Sequence, residues 1–163
     1  MDYHKLISLF LLGTVAAGAF AVLFNVPVRV LLVTALSGGI ALVVRALVAG
    51  NSPSLAFGTF LGALSVGVWA AYWSYRVDTP GHVISIPGMI PLIPGVFAYK
   101  TLMGIWQFVY LEPQDRVPKL AETVHSGLQT ALILLGISLG IAIPNVIHRF
   151  IAEKGKNRPQ ARS

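Results

Sequence analysis

Ile86-Pro87-Gly88-Met89-Ile90-Pro91-Leu92-Ile93-Pro94-Gly95 holds three prolines and two glycines, with Ile-Pro-Gly occurring twice, seven residues apart. It sits inside an apolar segment, His82 to Leu111, of 30 residues. As one continuous helix that segment would rise about 45 Å, against a hydrocarbon layer of about 30 Å. Proline has no amide hydrogen to donate and glycine weakens a helix, so the stretch is expected to be unwound, kinked or re-entrant.

The chain around it is that of a membrane protein. Of 163 residues, 55% are hydrophobic and 11% charged, well below the roughly 25% charged residues of soluble domains. The charges are segregated: 23 uncharged residues separate Lys5 from Arg29, 30 separate Arg45 from Arg76, and 26 separate Glu122 from Arg149. Each interval is long enough to cross a bilayer. The expected fold is an all-α polytopic transmembrane bundle of about five spans, with the Pro/Gly-broken fourth segment as its irregular member.

Read along the chain, the spans are Leu6–Phe24, retained rather than cleaved as a signal because its apolar run is too long, then Val28–Ala49 and Leu55–Tyr75. The broken segment follows, then a polar connection from Glu112 to Ser126 and a last span from Gly127 to Ile147 with Pro144 near its end. Residues 1–148 form the transmembrane domain and 149–163 a basic cytoplasmic tail. That tail carries five basic residues against Glu153, which is +4 of the net +6. The basicity is therefore a flank and gives no reason to expect nucleic acid as a partner. Lys and Arg counts place Arg29, Arg76 and the tail on one side, with Lys5, Arg116 and Lys119 on the other. The C-terminus is expected in the cytoplasm and the N-terminus outside.

A broken helix at membrane depth strands amides and carbonyls that protein, water or a solute must satisfy. Half-helix N-termini suit a carboxylate, and unwound carbonyls suit an ammonium group. Pro87 to Gly95 is therefore the candidate binding site. Arg45 and Lys100 are the basic residues within the spans; either contacts an anionic group, or Arg45 snorkels to the interface. All six acidic residues flank spans. Glu122 and His125, three apart, read either as a proton relay or as an ordinary polar helix start. Gly58 with Gly62 and Gly136 with Gly140 let helices approach closely, within the chain or in a homo-oligomer. The sequence has no cysteine, no P-loop, no His-Glu-x-x-His and no Gly-x-Ser-x-Gly, so neither enzymatic apparatus nor a metal or cofactor site is expected.

Phe24-Asn25-Val26-Pro27-Val28-Arg29, the second span ending Val44-Arg45, and Ile90-Pro91-Leu92-Ile93-Pro94-Gly95 followed by Tyr99 resemble the threonine/serine exporter family. More narrowly, the chain resembles its small YjjB-type component, over nearly the whole length. The resemblance implies a bacterial inner-membrane protein working with a larger YjjP-type subunit to export threonine and serine, or a dicarboxylate such as succinate. It implies alternating access, with the substrate carboxylate held near Pro87, Gly88, Pro91, Pro94 and Gly95, by Lys100 or Arg45. Asn25 and Tyr99 match the family pattern and join the candidate site.

Overall fold

Six helices account for nearly the whole of the computed structural model, which describes residues 3–51, 54–110 and 112–156. They are α1 (Tyr3–Leu23), α2 (Val28–Asn51), α3 (Leu55–Arg76), α4 (Gly81–Met89), α5 (Gly95–Phe108) and α6 (Pro113–Lys156), with a 3-10 turn at Ile90–Leu92 between α4 and α5. Four helices are long and apolar enough to cross a membrane, or five if α4 and α5 together count as one bent span. The all-α, roughly five-span bundle expected from the sequence is the observed architecture.

Lipid chains are as apolar as leucine, so helices in a membrane associate by close packing, at small residues. Antiparallel α1 and α2 meet where a Cβ on Gly13 would fall 2.9 Å from the Gly38 carbonyl carbon, and one on Gly39 would fall 2.7 Å from the Phe10 oxygen. Helices α2 and α3, also antiparallel, meet at Gly58 and Gly62, which face Arg45, Ala49 and Ala41. Gly136 and Gly140 of α6 lie against Ala56, Phe60 and Ala63 of α3, and Gly67 of α3 against Pro144. Both small-residue pairs singled out in the sequence thus serve contacts within the chain.

Several buried hydroxyls in these helices turn back on their own backbone. Thr34 Oγ1 donates to the Val30 carbonyl at 2.9 Å, Ser37 Oγ to that of Thr34 at 2.6 Å, and Thr59 Oγ1 to that of Leu55 at 2.9 Å. Such bonds satisfy a polar group without a partner helix. Outward-facing positions carry the large apolar side chains, among them Leu11, Leu12, Val15, Leu32 and Leu139, all more than half exposed. That inversion is what a lipid-facing surface requires.

Two sequence expectations are corrected. The polar connection from Glu112 to Ser126 is helical: α6 runs unbroken from Pro113 through Gly127 to Lys156. The Thr123 and Thr130 hydroxyls donate to the carbonyls four residues back, at 2.8 Å each, so these polar residues continue a helix instead of interrupting it. The helix continues past Arg149 to Lys156, and residues 157–163 lie outside the described residues. Secondly, the two Ile-Pro-Gly elements differ. Pro87 lies inside α4, and the chain leaves helical geometry only at Ile93, with φ −60° and ψ 130°, and Pro94.

Gly140 has no room for a side chain, whereas a Cβ on Gly95 would meet nothing within 4 Å. Overpacking against backbone costs about 1–3 kcal/mol. Gly140→Ala should therefore lower the melting temperature of the detergent-purified protein by several degrees, while Gly95→Ala leaves it unchanged. Equal melting of the two variants would contradict the packing described.

Candidate functional site

The contacts of α4 fix where the break sits. Gly88 lies against the Ser37 side chain of α2 and Val66 of α3, and Leu92 against Gly62 of α3. The helix therefore runs parallel to α2 and antiparallel to α3, starting at the end that carries Arg29 and Arg76. Arg29 ties that end together, its Nη2 donating to the Asp78 carbonyl at 3.3 Å and to Thr79 Oγ1 at 3.4 Å. Leu92 is fully buried with Ala41, Ala63, Val66, Ile133 and Ile137, which anchors the 3-10 turn in the core.

Removing amides by proline leaves carbonyls to be satisfied otherwise. Pro91 and Pro94 cannot donate to the carbonyls of Pro87 and Ile90 in the helical pattern; the Ile90 and Ile93 amides bond them instead, the second at 3.0 Å. The Leu92 carbonyl accepts from Arg45 Nη1 at 3.4 Å. Gly95 N–H bonds the Ile93 carbonyl at 2.9 Å, and Ala98 N–H bonds that of Pro94 at 3.0 Å. Between them, the Val96 and Phe97 amides have no acceptor among the described residues. Pro94 occupies the cap position and offers no side-chain hydrogen bond. The start of α5 is thus open, carries the positive end of a 14-residue helix, and follows by three residues the carbonyl that holds Arg45.

Of the residues singled out in the sequence, the structure gathers Arg45, Pro91, Pro94 and Gly95 at this break. Arg45 is half-buried, with its guanidinium turned to the Leu92 carbonyl. Pro87 and Gly88 are buried in α4, Gly88 against Ser37. Lys100 and Tyr99 are exposed on α5 past the break. Asn25 lies elsewhere: it is the left-handed residue, φ 58°, of the α1–α2 turn, a conformation asparagine tolerates. From Arg29, near that turn, to Arg45 is about 24 Å of helix rise. Glu122 pairs with Lys119 at 3.2 Å on an exposed stretch of α6, and His125 beside it is exposed.

Sequence reasoning missed three features. Ser85 Oγ and Thr14 Oγ1 are buried with no hydrogen-bond partner among the described residues; the apolar residues around each gave no warning. A cleft of about 280 Å³ lies between the α1–α2 turn and α4, lined by Phe24, Val26, His82, Val83, Ile86 and Pro87. Pro87 on its wall has no amide hydrogen for the Val83 carbonyl, a consequence legible from the proline alone.

The family described as Threonine/Serine exporter, ThrE, matches residues 9–147, which include every helix crossing and the break. The chain belongs to the threonine/serine exporter family. That family is one of transporters, and with the apolar helices it makes this a multi-pass membrane protein. An uncharacterised protein of Haemophilus influenzae is similar, 28% identical over 143 residues, covering 88% of this chain and 48% of the relative. The chain therefore spans about half the length of that relative. No solved structure matches.

The proline bend is directly measurable, because a cysteine-free chain accepts spin labels only where cysteines are introduced. Labels at Ile86 and Ile105 straddle the 58° bend. In a Pro91→Ala/Pro94→Ala variant the helical pattern can re-form, and the label separation should lengthen by roughly 3–4 Å as the segment straightens. An unchanged distance would show that packing, not proline, sets the angle.

Proposed function

We propose that this chain is a membrane subunit of a bacterial exporter of small polar amino acids, threonine and serine, acting with a larger YjjP-type subunit in the inner membrane. The observation that supports it best is the open start of α5 beside Arg45, in the broken span of a chain from an exporter family. The solute carboxylate is taken by the Val96 and Phe97 amides and by the Arg45 guanidinium, which gives up the Leu92 carbonyl to receive it. Pro91, Pro94 and Gly95 keep those amides unsatisfied by the protein and accessible. Pro87 and Gly88 hold α4 in place, and Asn25 and Tyr99 lie on the route to and from the break.

The reading fits the chemistry of the side chains as well as the backbone. The acidic residues of α6 sit toward its two ends, Asp115 and Glu122 in its first part and Glu153 in its last, so on this reading a coupling proton or cation is received by a group on another chain. The larger subunit supplies it. Arg29 and Arg76 at one end of the bundle, together with the basic residues after Arg149, support a cytoplasmic C-terminus and an outside N-terminus. Residues 1–148 are then the membrane domain and 149–163 a cytoplasmic extension of it. Alternating access follows from rocking of the α4–α5 segment about its break.

A second reading, export of a dicarboxylate such as succinate, is favoured by Lys100, five residues past Gly95, as a cation for a second carboxylate. The two separate by experiment. Cells carrying both subunits are loaded with labelled threonine, serine or succinate and their efflux is followed. A hydrogen bond to a charged group contributes about 1.5–3 kcal/mol, so Arg45→Gln should slow efflux of the true solute roughly tenfold or more while Arg45→Lys retains part of it. Loss of succinate efflux alone assigns the dicarboxylate. Wild-type efflux from Arg45→Gln, in protein of unchanged melting temperature, contradicts the site. Full export by the larger subunit alone makes this chain a scaffold.

A further inference from the structure

The longest helix of the chain does not fit a bilayer. With 44 residues, α6 rises about 66 Å, twice the hydrocarbon thickness of about 30 Å. Its register says which half is surplus. Gly136 lies level with Ala56 and Phe60, in the first turns of α3. The 24 residues from Pro113 to Gly136 therefore extend about 30 Å past that end of α3. Helix α5 leaves the break at 58° and returns alongside this surplus, Thr101 against Gly127 and Gly104 against Thr123. Together they make a two-helix arm.

Two facts about the arm conflict unless something covers it. Glu112, Asp115, Arg116, Lys119 and Glu122 place its outer part beyond the hydrocarbon, where charges of both signs are tolerated. Yet at the same level its apolar side chains are uncovered: Leu102 is 68% exposed, Trp106 63%, Tyr110 73%, Val117 74%, Leu120 48% and Val124 50%. The small and hydroxylated residues, Gly104, Thr123 and Ser126, are the buried ones. Leu102 and Trp106 lie four apart on α5, with Tyr110 a further four on in the turn after it, and Val117, Leu120 and Val124 recur at three and four on α6, so each helix presents a stripe. Trp106 and Tyr110 stack at 5.6 Å between ring centroids. Apolar stripes with aromatic residues, rimmed by charge and outside lipid, are the composition of a protein interface.

The similar protein of Haemophilus influenzae indicates the occupant, since the match covers only 48% of it. In that relative about as much chain again is joined covalently to the matched stretch. We infer that the α5–α6 arm is the docking surface for the companion subunit of the exporter, a helical membrane protein with an apolar flank reaching beyond the bilayer. The inference rests on the exporter-subunit reading for the existence of that companion; the surface is argued independently.

The absence of native cysteine makes the test clean. Single variants Leu102→Cys, Leu120→Cys and Val124→Cys, carrying a photoactivatable maleimide, are irradiated in membranes containing the affinity-tagged companion. Val15→Cys and Leu32→Cys, at positions 70% and 69% exposed on α1 and α2, serve as lipid-facing controls. The arm positions should give adducts of the two summed chain masses and the controls none. Leu120→Glu should cut co-purified companion about tenfold, as expected for an interface centre, without changing this chain's own melting temperature. Adducts at twice this chain's mass alone, phospholipid adducts alone, or equal yields from arm and controls would each overturn the docking surface. If the adducts form and the pair exports neither amino acids nor dicarboxylates, the exporter reading fails while the docking surface stands. Export by a pair whose arm is unlinked sinks the docking surface alone.

Discussion

Every amide and carbonyl that enters hydrocarbon must find a partner, and this rule governs the fourth span more than any side chain does. Pro87, Pro91 and Pro94 remove three donors from one segment. Two of the stranded carbonyls are recovered by a switch to 3-10 bonding, which tightens the chain, and the Leu92 carbonyl by a guanidinium from α2. The segment turns by 58° at the non-helical Ile93 and Pro94 that follow. The amides of Val96 and Phe97 have no acceptor among the described residues, and the proposed chemistry is located at them. Here site and fold are the same phenomenon: the residues that break the helix also create its binding capacity.

The rest of the bundle holds that break in place. Close approach at Gly62 admits Leu92 to the core, and close approach at Gly88 seats α4 on Ser37. Because α4 runs parallel to α2, Arg45 meets the end of the 3-10 turn. On the other side, Gly136 and Gly140 bind α6 to α3, and the same helix continues past the bundle to carry α5. A displacement of α5 about the break is thus communicated to the longest helix in the chain. In the proposed complex, whatever the companion subunit does to the arm it does to the open amides as well.

Much of this was legible in the sequence. Uncharged intervals bounded by Lys5, Arg29, Arg45, Arg76 and Glu122 gave the span count, and the doubled Ile-Pro-Gly element gave the broken member. What failed did so for local physical reasons. Two identical tripeptides take different conformations because Gly88 is pressed against Ser37 inside a helix, while Gly95 faces open space after Ile93 has turned extended. Sequence identity says nothing of such surroundings. The stretch from Glu112 to Ser126 looked like a connection because of its charges, although Val117, Leu120 and Val124 already carried helical spacing. The partner of Arg45 could not be read at all, since it depends on the direction in which a segment 47 residues later packs.

Solvent access to the break tests the central claim most directly. Gly95→Cys and Val96→Cys, in the otherwise cysteine-free chain assembled with its companion, are exposed to a membrane-impermeant thiol reagent with and without threonine. The account predicts that both react while Leu32→Cys on the lipid face does not, and that threonine slows their reaction several-fold. Reaction no faster than at Leu32→Cys would show a break sealed from water, and a reaction indifferent to every candidate solute would show an open break that binds none of them.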